Sequence, residues 1–92
     1  MFNRIDSKTI GGHLIETLDG VTVGDLEVAF GEPTDTGWSE DEKGYDGLEW
    51  HFQAVDGGET FRVYCRYGRP RIGGEGFDAA AFKAWLLARV AA

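Results

Sequence analysis

Two runs of alternating apolar and polar residues, joined by a glycine turn, constrain the fold of this chain more than any other feature. The stretch LEWHFQAVDGGETFRVYCRYG has an apolar residue at every second position of both runs, on either side of DGGE. Period-two alternation is typical of strands that bury one face, so the sequence predicts a β-hairpin. Residues predicted to enter the core are Trp50, Phe52, Phe61, Val63 and Cys65, and those predicted to point outward are His51, Arg62, Tyr64 and Arg66.

Two shorter segments predict the remaining strands. HLIETL, which precedes an Asp19-Gly20 turn, has the length and composition of a short strand. RPRIGG, directly after the hairpin, predicts another short strand. Because proline cannot donate a hydrogen bond to a neighbouring strand, Pro70 is expected to confine this strand to an edge of the sheet.

Two helices are predicted, one in the middle of the chain and one at its C-terminal end. Thr22 and Asp25 have the spacing of a capping box, which begins a helix of about residues 22–30 that Gly31 and Pro33 end. Asp78 is the candidate N-cap of a helix over about residues 78–90, whose apolar stripe is Phe82, Trp85, Leu86 and Val90. The order of elements predicts one α+β domain, residues 1–92, in which an antiparallel sheet of three to four strands carries both helices on one face.

Charge is distributed unevenly along the 92 residues, whose net charge is −7. Residues 1–61 carry 14 acidic and 3 basic side chains, a net of −11, whereas residues 62–92 carry 2 acidic and 6 basic ones, a net of +4. Direct nucleic-acid binding through the whole surface is therefore not expected, because phosphate neutralisation needs a basic face. A local anion site in the C-terminal third, and self-association of unlike patches into a homodimer, both stay open.

The sequence shows few of the residues that catalysis or metal binding requires. Cys65 is the single cysteine and is expected to be an inert core residue, and the two histidines, His13 and His51, are expected on the surface. We therefore expect no metal, no cofactor and no enzymatic activity. Since no apolar run is long enough to span a bilayer and no secretion signal follows Met1, we also expect a cytoplasmic protein without membrane contact.

An acidic segment with interleaved aromatic residues lies between the first helix and the hairpin. Binding surfaces are enriched in tryptophan and tyrosine, which distinguishes this segment from an ordinary solvated loop, although that simpler interpretation stays open. Bound metal is a weaker alternative, because the spacing of the carboxylates is not that of a calcium loop. The candidate partner-binding residues are Asp35, Trp38, Glu40, Asp41, Glu42, Tyr45 and Asp46.

A second candidate site lies on the outward face of the hairpin. Arginine forks next to an aromatic ring are suited to phosphate and nucleotide binding. The alternative is that these side chains only pack against each other across the strands. The candidate anion-binding residues are His51, Arg62, Tyr64, Arg66, Arg69 and Arg71.

The order of the motifs VTVGDLEVAFGEPT, GLEWHF, DGGETFRVYCRYG and RIGG resembles that of a family of small phage and prophage accessory proteins. The resemblance covers about residues 20–92, and this chain departs from it in its longer, more acidic insertion over residues 35–46 and in the doubled Gly57-Gly58. It implies an accessory protein that acts in the host cytoplasm against host defence, as anti-CRISPR proteins do, and it transfers no catalytic residue.

Three functional hypotheses follow from these features. The leading one is a non-enzymatic inhibitor whose acidic surface binds a protein of a nucleic-acid-guided host defence complex. The second is a binder that sequesters a nucleotide signal on the arginine and tyrosine face of the sheet. The third is a small structural or assembly protein, in which acidic and basic patches of neighbouring copies meet.

Overall fold

A five-stranded antiparallel sheet forms the framework of the protein. The computed structural model describes residues 1–5, 13–34, 48–66, 69–76 and 78–91, with the side chain of His13 excepted. The elements are β1 (Phe2–Ile5), β2 (His13–Thr17), α1 (Val23–Phe30), β3 (Glu49–Ala54), β4 (Thr60–Arg66), β5 (Arg69–Gly74) and α2 (Ala79–Ala91). The strands are arranged in the order β1-β3-β4-β5-β2. The α+β class and the predicted hairpin β3–β4 are confirmed, and the sheet has five strands rather than three or four.

The fifth strand, β1, was not predicted from the sequence. It pairs antiparallel with β3, and Phe2 lies opposite Ala54 while Ile5 lies opposite His51. Four residues with no clear alternation give little local signal for a strand. The pairing of β1 therefore depends on the open edge that β3 offers, which lies about 50 residues away along the chain.

The predicted edge position of β5 is wrong. This strand lies between β4 and β2, with Cys65 opposite Pro70 on one side. On the other side the carbonyl of Pro70 accepts a hydrogen bond from the backbone N–H of Leu18, 3.0 Å away, just beyond the end of β2. The N–H that proline lacks would face Leu18 as well, so Pro70 omits a hydrogen bond only at the end of the β2–β5 ladder.

Both predicted helix starts are confirmed. The Thr22 hydroxyl accepts a hydrogen bond from the backbone N–H of Asp25, and the Asp25 carboxylate accepts one from the backbone N–H of Thr22, which completes the capping box. The Asp78 carboxylate accepts a hydrogen bond from the backbone N–H of Ala81 at the start of α2. Helix α1 ends at Gly31, whose positive φ of 80° is readily adopted by glycine.

The core lies between the helices and one face of the sheet and is built largely of aromatic rings. Phe61 on β4 stacks on Phe82 of α2 with 4.5 Å between ring centroids, and Phe52 packs against the same helix. Cys65 is buried beside them, as predicted. None of the described helices is both long and apolar enough to cross a membrane. One face of the sheet is thus largely covered by the helices, and the strand side chains on the other face are the candidates for a binding site.

Candidate anion-binding face of the sheet

Strand pairing brings the outward-pointing arginines of β4 and β5 together. On β4, the residues Arg62, Tyr64 and Arg66 alternate with buried core residues, so they share the face opposite the helices. The register places Arg71 opposite Tyr64 and Arg69 opposite Arg66. We define the basic face as the set Arg62, Tyr64, Arg66, Arg69 and Arg71.

Positive charge is densest at the end of the basic face where β4 and β5 are connected. Arg66 and Arg69 are register partners there, and side chains opposite each other on antiparallel strands have Cβ atoms about 5 Å apart. Arg71 follows two positions along β5 and therefore projects from the same face. Three arginines on two adjacent strands thus share one end of this face, in a chain whose net charge is −7.

At the opposite end of the basic face, Arg62 is held by two neighbours. Its guanidinium carbon lies 4.6 Å from the centroid of the Tyr64 ring, and its Nη1 lies 3.4 Å from Oε1 of Glu49 on β3. Among the strand residues that the structure describes, Glu49 is the one carboxylate on this face, because Glu16 lies on the helix side and pairs with Lys83. Counted over the described strand residues alone, four arginines and one glutamate give this face a formal charge of +3.

The predicted surface position of His51 is wrong. Its strand position does place it on the face opposite the helices, but it is only 1% exposed. On this face, Ile5 of β1 lies on one side of it and Arg62 of β4 on the other, and both are its register partners. Its Nε2 lies 3.1 Å from Glu49 Oε1, and its Nδ1 has no hydrogen-bond partner among the described residues. The imidazole therefore orients Glu49 and is closed to molecules arriving from solvent.

Glu49 is the functional candidate that sequence reasoning missed. It contacts both His51 and Arg62 and so sets the charge at one end of the basic face. The alternation of apolar and polar residues in β3 contained this information, because residues two apart on a strand point to the same side. Glu49, two positions before His51 on one strand, could have been placed there from the sequence.

The other candidate site cannot be placed on the structure. Asp35, Trp38, Glu40, Asp41, Glu42, Tyr45 and Asp46 lie outside the described residues. The residues just before this segment are firmly held. Arg4 of β1 donates hydrogen bonds to the carbonyl of Phe30 and to the Thr34 hydroxyl, and Trp50 Nε1 donates to the carbonyl of Gly31, 3.0 Å away. The chain thus enters the acidic segment from a fixed position beside β1.

No group of three or more histidine, cysteine or acidic side chains within the described ranges could hold a metal ion. In comparisons with protein-family models, curated proteins and solved structures, none matches this chain. The resemblance to small phage proteins therefore stays a prediction, and a functional argument for this chain depends on its own residues.

Proposed function

We propose that this chain is a non-enzymatic binding protein that holds a phosphate-bearing small molecule, of the nucleotide class, on its basic face. The observation that carries the proposal is the register of β4 and β5, which places the exposed Arg66 and Arg69 and the half-buried Arg71 on one face of the sheet in a protein of net negative charge. Guanidinium groups bind phosphate oxygens through paired, charge-assisted hydrogen bonds, which are stronger than neutral ones.

The dimensions of the basic face favour a small ligand over a nucleic-acid duplex. Arg62 and Arg66 are four positions apart on β4, which corresponds to about 13 Å along a strand, and the two strands are about 5 Å apart. A duplex contacts a protein through many phosphates spread over a much larger surface. The predominantly acidic character of the rest of the chain opposes such an extended contact, whereas one phosphorylated small molecule needs only this patch.

The residues of the basic face divide into two roles. Arg66, Arg69 and Arg71 form the densest positive region and are assigned to the phosphate. Arg62 lies over Tyr64, so the ring keeps this guanidinium extended along the face, and Glu49 offsets its charge. His51 acts through Glu49 and does not touch the ligand.

Calorimetric titration with tripolyphosphate and with ribonucleoside triphosphates tests this proposal. We expect binding to the native protein and a loss of about tenfold or more in affinity for Arg71→Gln, because a charged hydrogen-bond donor contributes about 1.5–3 kcal/mol. Arg89→Gln is the matched control, since it removes an equal charge from α2, where the guanidinium lies 5.5 Å over the Trp85 ring. Absence of binding to the native protein, or an equal loss in both variants, would contradict the proposal.

The phage-type inhibitor, which is the leading hypothesis from the sequence, is the second candidate function. It is supported by the segregation of charge in the sequence, in which residues 1–61 carry a net of −11, and by the aromatic residues Trp38 and Tyr45 within the acidic segment. Such a segment would compete with nucleic acid for the arginine-lined groove of a host defence complex, and opposite charges would accelerate the association.

Co-precipitation with purified nucleic-acid-guided nuclease complexes tests the second candidate. Reversing two charges of the acidic segment with Glu40→Lys and Glu42→Lys is expected to abolish capture. The control reverses two charges elsewhere, with Glu27→Lys and Glu75→Lys, both at exposed positions. Capture that survives the first pair of substitutions, or is lost equally with both pairs, would remove the acidic segment as the contact surface.

A further inference from the structure

A hollow of about 510 Å³ lies next to the basic face, at the junction of β2, α1 and the start of β5. It is lined by the connection over residues 17–24 together with Arg69 and Pro70. Ligand pockets of small molecules fall in the range of about 300–1,000 Å³, so this hollow is large enough for a group the size of a nucleoside.

Two residues belong both to the hollow and to the surface around the basic face. Arg69 lines the hollow and is also the register partner of Arg66. Thr17 lines the hollow and lies opposite Arg71 across the β2–β5 pairing. Arg69 therefore joins the hollow to the basic face, and a molecule whose phosphate contacts Arg69 can also reach the hollow.

Gly24 lies in the wall of the hollow, and its lack of a side chain leaves space beside the backbone there. It is the second residue of α1 and has no positive φ that would require glycine. No packing requirement explains it, because a Cβ added at this position would meet only the Thr22 hydroxyl, at 3.7 Å. Glycine often serves where a ligand approaches the backbone closely, and the position of Gly24 in the wall of the hollow fits that use.

The wall combines apolar side chains with a few polar groups, as small-molecule sites do. Leu18 and Val21 supply apolar surface, and Thr17 and Asp19 supply hydrogen-bonding groups. The Asp19 carboxylate would repel a phosphate but can accept hydrogen bonds from sugar hydroxyls or from an exocyclic amine. The hollow is thus suited to the uncharged part of a ligand, and the arginines beside it to the charged part.

We propose that the hollow lined by residues 17–24 binds the nucleoside portion of a nucleotide whose phosphate lies on Arg69 and Arg71. This inference rests on the proposed function, and it adds a second subsite that confers preference for nucleotides over simple phosphates. Tyr64 is not the base-binding group in this arrangement, because Arg62 covers one face of its ring.

Comparing the affinities of two kinds of probe distinguishes the two subsites. Inorganic phosphate reaches only the arginines, whereas each of the four ribonucleoside 5′-monophosphates also reaches the hollow. We expect at least one monophosphate to bind the native protein tenfold or more tightly than inorganic phosphate does. Gly24→Leu is expected to remove that preference by filling the hollow while leaving the affinity for inorganic phosphate unchanged.

Ala84→Leu provides the matched control, since it adds equivalent bulk at an exposed position on α2. Gly24→Ala and Asp19→Ala, which perturb the fold less, are expected to reduce the preference partially, and thermal melting of every variant shows that each is folded. If Gly24→Leu still prefers a nucleotide over inorganic phosphate, or if the native protein binds both equally, the second subsite is overturned. The proposed phosphate site on the basic face is unaffected by either result. Failure of the native protein to bind either probe would overturn both.

Discussion

The guanidinium of Arg62 lies over the Tyr64 ring, 4.6 Å from its centroid, while its Nη1 lies 3.4 Å from the Glu49 carboxylate. This arrangement has two consequences for the basic face. The ring restricts where the guanidinium can extend, and the carboxylate neutralises part of the charge that an anionic ligand would meet. An incoming phosphate must therefore compete with Glu49 for Arg62, and substitutions at these two neighbours should have opposite effects on anion binding.

Glu49→Gln is expected to strengthen binding of tripolyphosphate about two- to fivefold, since partly exposed ion pairs contribute up to about 1 kcal/mol. The amide keeps the shape of the side chain and removes its negative charge. Glu16→Gln is the control, because Glu16 pairs with Lys83 on the helix side, 2.7 Å away. Calorimetric titration measures both variants, and an unchanged or weaker affinity in Glu49→Gln would show that this carboxylate does not regulate the face.

Tyr64→Leu is expected to weaken tripolyphosphate binding about two- to fivefold, because an exposed cation–π contact contributes about 0.5–1 kcal/mol. Tyr64→Phe retains the ring and should bind as the native protein does. The loss should be the same for tripolyphosphate and for nucleotides, since Tyr64 acts on Arg62 and not on a base. A selective loss of nucleotide affinity would instead assign the base to Tyr64.

Thr22→Ala is expected to lower the free energy of unfolding by about 1 kcal/mol, the usual cost of losing a helix N-cap. The Thr22 hydroxyl is 3.1 Å from the backbone N–H of Asp25, which it satisfies at the start of α1. Thr22→Ser keeps this hydrogen bond and should retain most of the stability. Urea denaturation followed by circular dichroism provides the comparison, and equal stability of the alanine and serine variants would argue against the capping box.

Gly74→Ala and Gly24→Ala are expected to change stability in opposite directions. Gly74 has a φ of 130°, and a Cβ there would lie 2.7 Å from the carbonyl oxygen of Thr60, so alanine should cost about 1–3 kcal/mol or more. Gly24 has a helical backbone and open space around it, so alanine should stabilise α1 by up to about 1 kcal/mol. Urea denaturation of the two variants checks this, and a loss of stability in Gly24→Ala would mean that the space beside it is needed by the fold.

Local patterns in the sequence predicted the central hairpin and both helix starts. Alternation assigned Trp50 and Arg62 to opposite faces, and the short spacing of Thr22 and Asp25 predicted the capping box. Each of these features depends on residues that are near neighbours in the chain, so a short stretch contains the whole signal. The arginines of the basic face were found in the same way, because they alternate with core residues.

Features that depend on distant partners were missed or predicted wrongly. The edge position predicted for Pro70 failed because β2, from far earlier in the chain, pairs beside it and ends at the residue before Leu18. The surface position predicted for His51 is wrong, since the residue is 1% exposed and β1, from the start of the chain, pairs beside it. The hollow beside Arg69 was not predicted from the sequence for the same reason, because its wall combines residues 17–24 with the start of β5.

The sequence alone therefore determined which side chains share a strand face and where the helices begin, because those properties follow from backbone periodicity and local hydrogen bonding. Only the tertiary structure decided which strands are neighbours, and hence that Arg69 lies opposite Arg66, that His51 is closed to solvent and that Arg69 lines a hollow with residues 17–24. Strand order depends on pairings between segments far apart in the chain, such as β1 with β3 and β2 with β5, which the pattern within one segment does not specify.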